Sequence, residues 1–260
     1  MIPRRYIDEW RQNAPWQDNY QVEQDLIIER SLKELFSDEY LCENLAFRGG
    51  TALHKLYLKP QARYSEDIDL VQIKEGPIKP ILKRIGEKMK FLGTKRSIKQ
   101  NINNNTIVYR FDSEVPPIVN LRLKLEINCR EHFSVLGKRK NNFESSSTWF
   151  EGGCSITSFE LEELLGTKLR ALYQRRKGRD LFDIYHALKL QSVDIQKLLH
   201  CYNEYMAFAV KKPPSKKQFR NNLFEKINDK EFEKDIIGLL RPEINYDQNL
   251  AYQFILDKLL

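Results

Sequence analysis

Residues 45–70 set the strongest limit on how this chain folds. Leu45-Ala46-Phe47 is a short apolar run suited to a buried strand, and Gly49-Gly50 breaks it. Thr51 stands where a hydroxyl can cap a helix over 52–58, which Pro60 closes. A second strand is expected over 64–73. Ile68 and Leu70 point to one side of it, Asp67 and Asp69 to the other.

The flanking sequence predicts the remaining elements. Val22, Leu26, Ile27, Leu32, Leu35 and Phe36 approximate helical spacing over 21–37. Residues 77–92 read as a basic amphipathic helix, opened by Pro77 and stopped by Gly93. Residues 96–102 and 106–111 form a hairpin across Asn103-Asn104-Asn105. The clearest strand is 118–128, with Leu121, Leu123, Leu125 and Ile127 on the core side and Arg122, Lys124, Glu126 and Asn128 on the other. Residues 137–147 read as a polar loop, and Ser158 as the start of a helix running to about 176. Gly178 breaks that helix, a new one covers 180–188 with Asp180 as its cap, and the chain is helical from 193 onward apart from Pro213-Pro214 and Pro242. This predicts an α+β class with a boundary near Gly152-Gly153: a mixed α/β domain over 1–152 and a helical domain over 153–260.

Composition narrows the class. Hydrophobic residues make up 41% and charged residues 30%, as in a soluble globular protein, and the formal net charge of +7 suits an anionic partner such as nucleotide or nucleic acid. Cys42, Cys129, Cys154 and Cys201 have no zinc spacing and read as reduced thiols of a cytoplasmic protein. Residues 1–6 carry charge without a following apolar core, so no secretory signal is expected, and no apolar run is long enough to span a membrane. His54, His132, His186 and His200 form no metal spacing and read as structural.

The chemistry concentrates around the acids. Side chains at i and i+2 on a strand share a face with Cα atoms about 6.5–7 Å apart. Asp67 and Asp69 can then share Mg²⁺, which favours a few carboxylates plus phosphate oxygens; the plain alternative is a solvated strand face. Gly49 and Gly50 permit close backbone approach, and the N–H groups there, with the Thr51 hydroxyl, suit the phosphates of an NTP; alone they are also an ordinary tight turn. Ser65 reads either as a phosphate contact or as a strand-start hydrogen bond. Glu126 suits a third metal ligand, a base, or a salt bridge with Lys124 or Arg122. Lys168 offers a point charge to a triphosphate, or is a surface lysine. Arg175, Arg176, Lys177 and Arg179 form a basic cluster that suits RNA phosphates, although charge runs are usually solvated.

These residues carry a resemblance. Phe47-Arg48-Gly49-Gly50-Thr51-Ala52-Leu53-His54-Lys55-Leu56-Tyr57, with Arg63-Tyr64-Ser65-Glu66-Asp67-Ile68-Asp69-Leu70, resembles the AbiEii/AbiGii toxin family of nucleotidyltransferases. Leu164-Leu165-Gly166-Thr167-Lys168-Leu169-Arg170-Ala171-Leu172 and Arg179-Asp180-Leu181-Phe182-Asp183-Ile184-Tyr185 resemble its third and fourth motifs. The resemblance implies a DNA polymerase beta-like nucleotidyltransferase core with a C-terminal helical part. It implies a toxin of a bacterial toxin–antitoxin or phage-abortive-infection system, paired with an AbiEi-like antitoxin, and the related MenT toxins add nucleotides to the 3′ end of tRNA. It implies metal binding by Asp67 and Asp69, phosphate binding by the Gly-Gly-Thr motif, a nucleotide contact by Lys168 and the motif-four acid at Asp180, with Asp183 the other acid in that stretch. The departures are Thr51 where the wider superfamily has Ser, and fifteen residues between Thr51 and Asp67.

The leading expectation is a Mg²⁺-dependent transferase of NMP from NTP to RNA, with the tRNA 3′ end foremost. A small-molecule acceptor and a non-catalytic RNA- or protein-binding module are the rival expectations.

Overall fold

The computed structural model describes residues 2–210 and 212–260. The described residues divide into two compact units, 2–133 with 138–159, and 134–137 with 160–210 and 212–260.

The first unit opens with three helices, α1 (Arg4–Trp10), α2 (Asn19–Phe36) and α3 (Glu39–Asn44). Strand β1 (Leu45–Arg48) follows, then α4 (Gly49–Ala52), which widens into a π-helical turn over Leu53–Tyr57. The order continues with β2 (Asp67–Gln72), α5 (Lys79–Lys88), β3 (Arg96–Gln100), β4 (Asn104–Asp112), β5 (Asn120–Asn128), β6 (Lys138–Glu144) and β7 (Gly153–Phe159). The strands form one mixed sheet in the order β3-β4-β5-β2-β1-β7-β6. β2 runs parallel to β5 and antiparallel to β1, which puts the acid strand near the middle.

The strand alternation reads through to burial. Ile68, Leu70, Leu121, Leu123, Leu125 and Ile127 are buried, and α2 packs against the sheet with Val22, Leu26, Ile27 and Leu32 inaccessible. Asp67, Asp69, Lys124 and Glu126 lie on the other side and keep access to solvent.

Three expectations fail on the far side of the sheet. The stretch read as a polar loop contains β6, a basic edge strand whose Phe143 is the residue that turns inward. Gly153 opens β7 and so stays with the first unit, and Ser158 sits inside β7 with its Oγ donating to the Phe47 carbonyl at 2.7 Å instead of capping a helix. The next helix starts after Glu160.

The second unit holds α6 (Leu161–Gln174), α7 (Gly178–Leu190), α8 (Ile195–Ala209), α9 (Lys216–Ile227), α10 (Lys230–Ile237) and α11 (Gln248–Leu259). Glu163 on α6 is fully buried and accepts from the Val135 and Leu136 backbone, Ser134 Oγ and Tyr205 Oη, which fixes the 134–137 segment to this unit. Among the described residues no helix is long and apolar enough to cross a membrane.

A buried ion triad anchors the segment between β1 and β2. Lys55 Nζ reaches Asp25 at 2.7 Å and Glu29 at 2.9 Å, with all three side chains at least nine-tenths buried. Trp10 Nε1 donates to the same Asp25 oxygen at 2.9 Å. Removing the lysine leaves two carboxylates without their counter-charge in a dry site. Lys55→Met is expected to lower the free energy of urea unfolding by about 3 kcal/mol; an unchanged midpoint and slope would show the triad to be dispensable.

Candidate functional site

β1 ends at Arg48, which faces Asp69 across the β1–β2 register. Gly49 then takes φ +81°, a conformation that side chains rarely adopt. A Cβ placed on Gly49 would lie 2.0 Å from Asp69 Oδ2, so the carboxylate rests directly against the bend. A Cβ on Gly50 would lie 2.4 Å from Arg63 Nη2. Arg63 is buried and donates from Nη1 to the Tyr64 carbonyl at 2.9 Å. The two glycines therefore make room for an acid and a guanidinium respectively.

Thr51 does not cap the helix. It is buried, its Oγ1 donates to the Asp67 carbonyl at 2.5 Å, and it lies 2.8 Å from Ser65 Oγ. The helix begins before Thr51, at Gly49, so the hydroxyl ties the bend to the start of β2. Ser65 stays half-buried beside it. Gly49, Gly50, Thr51, Ser65, Asp67 and Asp69 thus form one cluster inside the first unit.

Glu126 faces Asp69 in the β2–β5 register, and Lys124 faces Asp67. Lys124 Nζ lies 2.8 Å from Asp67 and 3.5 Å from Glu126. Partial burial works against that ammonium, but the Asp67 hydrogen bond and the charges of Asp67, Glu126 and Asp69 outweigh it and hold its pKa above the ordinary lysine value. Glu126 thus makes the Lys124 salt bridge that its strand position allows. Among the described residues no three His, Cys, Asp or Glu side chains gather as a metal cage. Paired hard carboxylates still suit Mg²⁺, which takes one or two of them and completes its shell with water and phosphate oxygens.

The motif residues of the second unit form a separate buried network. Lys168 is not a surface lysine: its Nζ sits 3.1 Å from Asp180 and 2.9 Å from Asp183, and both acids are fully buried. Arg175 adds two bonds to Asp180, 2.6 Å from Nε and 2.8 Å from Nη2. Asp180 lies in the first turn of α7, which Lys177 precedes as the N-cap, so it does not cap that helix. The basic cluster is largely neutralised: Arg176 pairs with Asp229 at 2.7 Å, Lys177 with Asp235 at 3.1 Å and Arg179 with Asp235 at 3.8 Å.

Read from sequence, Lys124 is only a salt-bridge partner, and Arg63 and Lys55 do not stand out. The signal for Lys124 is its place on the polar face of β5, two residues from Glu126. Arg63 and Lys55 leave no local signal, because their burial depends on contacts made across the fold.

The family profile described as Nucleotidyl transferase AbiEii toxin, Type IV TA system, matches residues 30–255. No curated protein matches the chain. Among solved structures, the nucleotidyltransferase toxin MenT4 from Mycobacterium tuberculosis H37Rv is similar at 12% identity and a TM-score of 0.58, covering 98% of this chain and 99% of that one. That likeness is one of fold. An antigenic nucleotidyltransferase-like protein from Paracoccidioides brasiliensis is similar at 16% identity and a TM-score of 0.41, covering 74% of this chain and 92% of that one, too loosely to add to the fold.

The Asp180 network has a pH signature. Burial raises the Asp180 pKa, but Lys168 and Arg175 overcome it and hold the carboxyl below its ordinary 3.8. Its stabilising contribution is therefore complete above that value and is lost as pH falls through the folded-state value. Asp180→Asn is expected to lower the Tm at neutral pH and to flatten the Tm profile below about pH 4; a variant profile parallel to the wild type would remove Asp180 as the cause.

Proposed function

The chain belongs to the AbiEii nucleotidyltransferase toxin family of type IV toxin–antitoxin systems, and on that footing we propose that it transfers NMP from an NTP to an RNA acceptor, the 3′ end of tRNA. The observation that carries this reading is the contact of Asp69 with Gly49, which unites the acids and the bend in one cluster.

In this reading the Gly49 and Gly50 backbone and Ser65 Oγ hold the triphosphate, with Thr51 setting Ser65 from behind. Asp67 and Asp69 hold Mg²⁺, and Glu126 is the third carboxylate. When bound, Mg²⁺ supplies charge neutralisation on the triphosphate. The acceptor hydroxyl oxygen bonds to the α-phosphorus, the α–β phosphoanhydride bond breaks, and pyrophosphate leaves with that bond's electron pair. The hydroxyl proton passes to a carboxylate of the trio. The protein's share is positioning and electrostatics, since the phosphoryl group needs no covalent help. Lys168 and Asp180 enter the proposal through their motifs, Lys168 as the nucleotide contact and Asp180 as the residue that fixes it. The acceptor assignment draws on the net charge of +7 and on the resemblance to the tRNA-modifying toxins. The counterpart proposed is an AbiEi-like antitoxin, and the setting phage defence in the cytoplasm.

Two measurements test this reading. Asp67→Asn and Asp69→Asn are each expected to cut transfer of labelled NMP to bulk tRNA by at least about a hundredfold while the fold is kept; transfer that survives both changes would return the acids to a solvated strand face. Lys124 holds the place of a cation between Asp67 and Glu126. Lys124→Met is expected to tighten Mn²⁺ binding, read by the free-ion EPR signal, by about tenfold. Weaker or unchanged binding would mean that the acids do not form the metal site.

A further inference from the structure

We infer that the open face of β3, β4 and β5 is the track for the phosphate backbone of the acceptor RNA, held by Lys95, Lys99, Arg110 and Arg122. The inference deepens the proposed transferase reading and rests on it for what the track serves.

The register lays this face out in rows. Asp69, Glu126, Thr106 and Lys99 follow one another across β2, β5, β4 and β3. The next row is Asp67, Lys124, Val108 and Ser97. Two residues further along β5 comes Arg122, directly opposite Arg110 on β4. The Arg110 backbone N–H in turn donates to the Lys95 carbonyl at 3.2 Å. Gln24 fixes the near end, with Nε2 donating to the Glu66 carbonyl at 3.1 Å and the Arg122 carbonyl at 2.9 Å. A band of cations therefore starts beside the acid strand and runs to the sheet edge. Asp112, bonded by Asn120 Nδ2 at 3.1 Å, ends it.

Three features point to a polyanion. Lys95, Lys99, Arg110 and Arg122 are all exposed, and among the described residues none of them forms an ion pair with a carboxylate. Arg110 donates only to a neutral group, Ser97 Oγ at 3.1 Å. Like charges directly opposite on adjacent strands, with Cβ atoms about 5 Å apart, destabilise a sheet, and a phosphate between them reverses that sign. The run Arg175–Lys177 with Arg179 is the rival place for this task, but there each cation already has a carboxylate. The sheet face carries Thr106, Val108 and Ser97 between its cations and no aromatic ring. It suits backbone contacts that position a strand, without base stacking or sequence readout.

The test is fluorescence anisotropy of 5′-labelled bulk tRNA over a series of salt concentrations, without NTP. Arg110→Gln/Arg122→Gln is expected to weaken binding by about tenfold and to reduce the slope of log K against log salt by about 0.7–0.9 for each phosphate no longer neutralised. The same variant should keep the wild-type affinity for labelled NTP, and its Tm should equal or exceed the wild type because the facing arginines are gone. Arg176→Gln/Lys177→Gln should bind tRNA as the wild type does. Unchanged tRNA affinity in the sheet variant, weakening that arises instead in the Arg176/Lys177 variant, or a parallel drop in NTP affinity would each overturn the inference. If the arginine pair fails to fold, Lys95→Gln/Lys99→Gln carries the same expectations. Asp67→Asn separates the two readings, since it should abolish transfer and leave tRNA binding intact. A protein that transfers to no acceptor yet shows the sheet-dependent binding would sink the transferase reading and leave the track.

Discussion

The Asp69 carboxylate against Gly49 is the contact on which the first unit's site depends. At φ +81° the bend would strain any side chain, and the space where a Cβ would stand is already taken by a carboxylate oxygen. The glycine is thus fixed by two demands at once, one on the backbone and one from the neighbouring strand. Gly50 meets a similar demand from Arg63, and Thr51 spends its hydroxyl on the Asp67 carbonyl. The bend and the acids are therefore a single structure, tied at each residue. The intervening chain is held from behind by Lys55, whose ammonium lies between two acids of α2. A long spacer between motif and acids is tolerated because its middle is anchored in the core.

What was legible in the sequence follows from where each signal resides. β2 and β5 could be read because one face of each is buried, and burial writes a period of two. The polar side of the same alternation gave Asp67, Asp69 and Glu126 their shared face. β6 could not be read this way. Lys138, Arg139, Lys140, Asn141 and Asn142 have no alternation, because a charged edge strand guards an open row of backbone groups and buries only Phe143. Ser158 and Thr51 misled for a common reason. Capping rules are local, while the partners of both hydroxyls lie on distant strands, the Phe47 and Asp67 carbonyls. Lys168 is the sharpest case: as a helical lysine it looks solvated, and only the packing of α6 on α7 brings two acids to it.

The same limit applies to charge. A net +7 and a run of four cations at 175–179 make that run the natural place to put a nucleic acid. Pairing sets that run apart from the sheet face, because each of its cations already holds a carboxylate. Cations that already hold carboxylates give a polyanion little, because each new contact must first break an old one. Unpaired cations on a pleated face give it the full interaction. The sheet provides the second kind, spread over three strands and separated in sequence, so no window of the chain shows it.

Lys124 joins the two halves of this arrangement. It stands between the acids of β2 and β5 and the arginines further along β5, and its ammonium compensates the acids in the ligand-free protein. Three carboxylates gathered without such a counter-charge would repel one another. With it, Asp67 and Glu126 share one ammonium, at 2.8 Å and 3.5 Å. In the proposed transferase reading, a divalent ion would displace that charge from carboxylates already held side by side. The released ammonium would face the same way as Arg122 and Arg110, toward an incoming phosphate backbone. The resting ion pair and the open cationic face are thus consequences of one choice, the alternation of Arg122, Lys124 and Glu126 along a single strand.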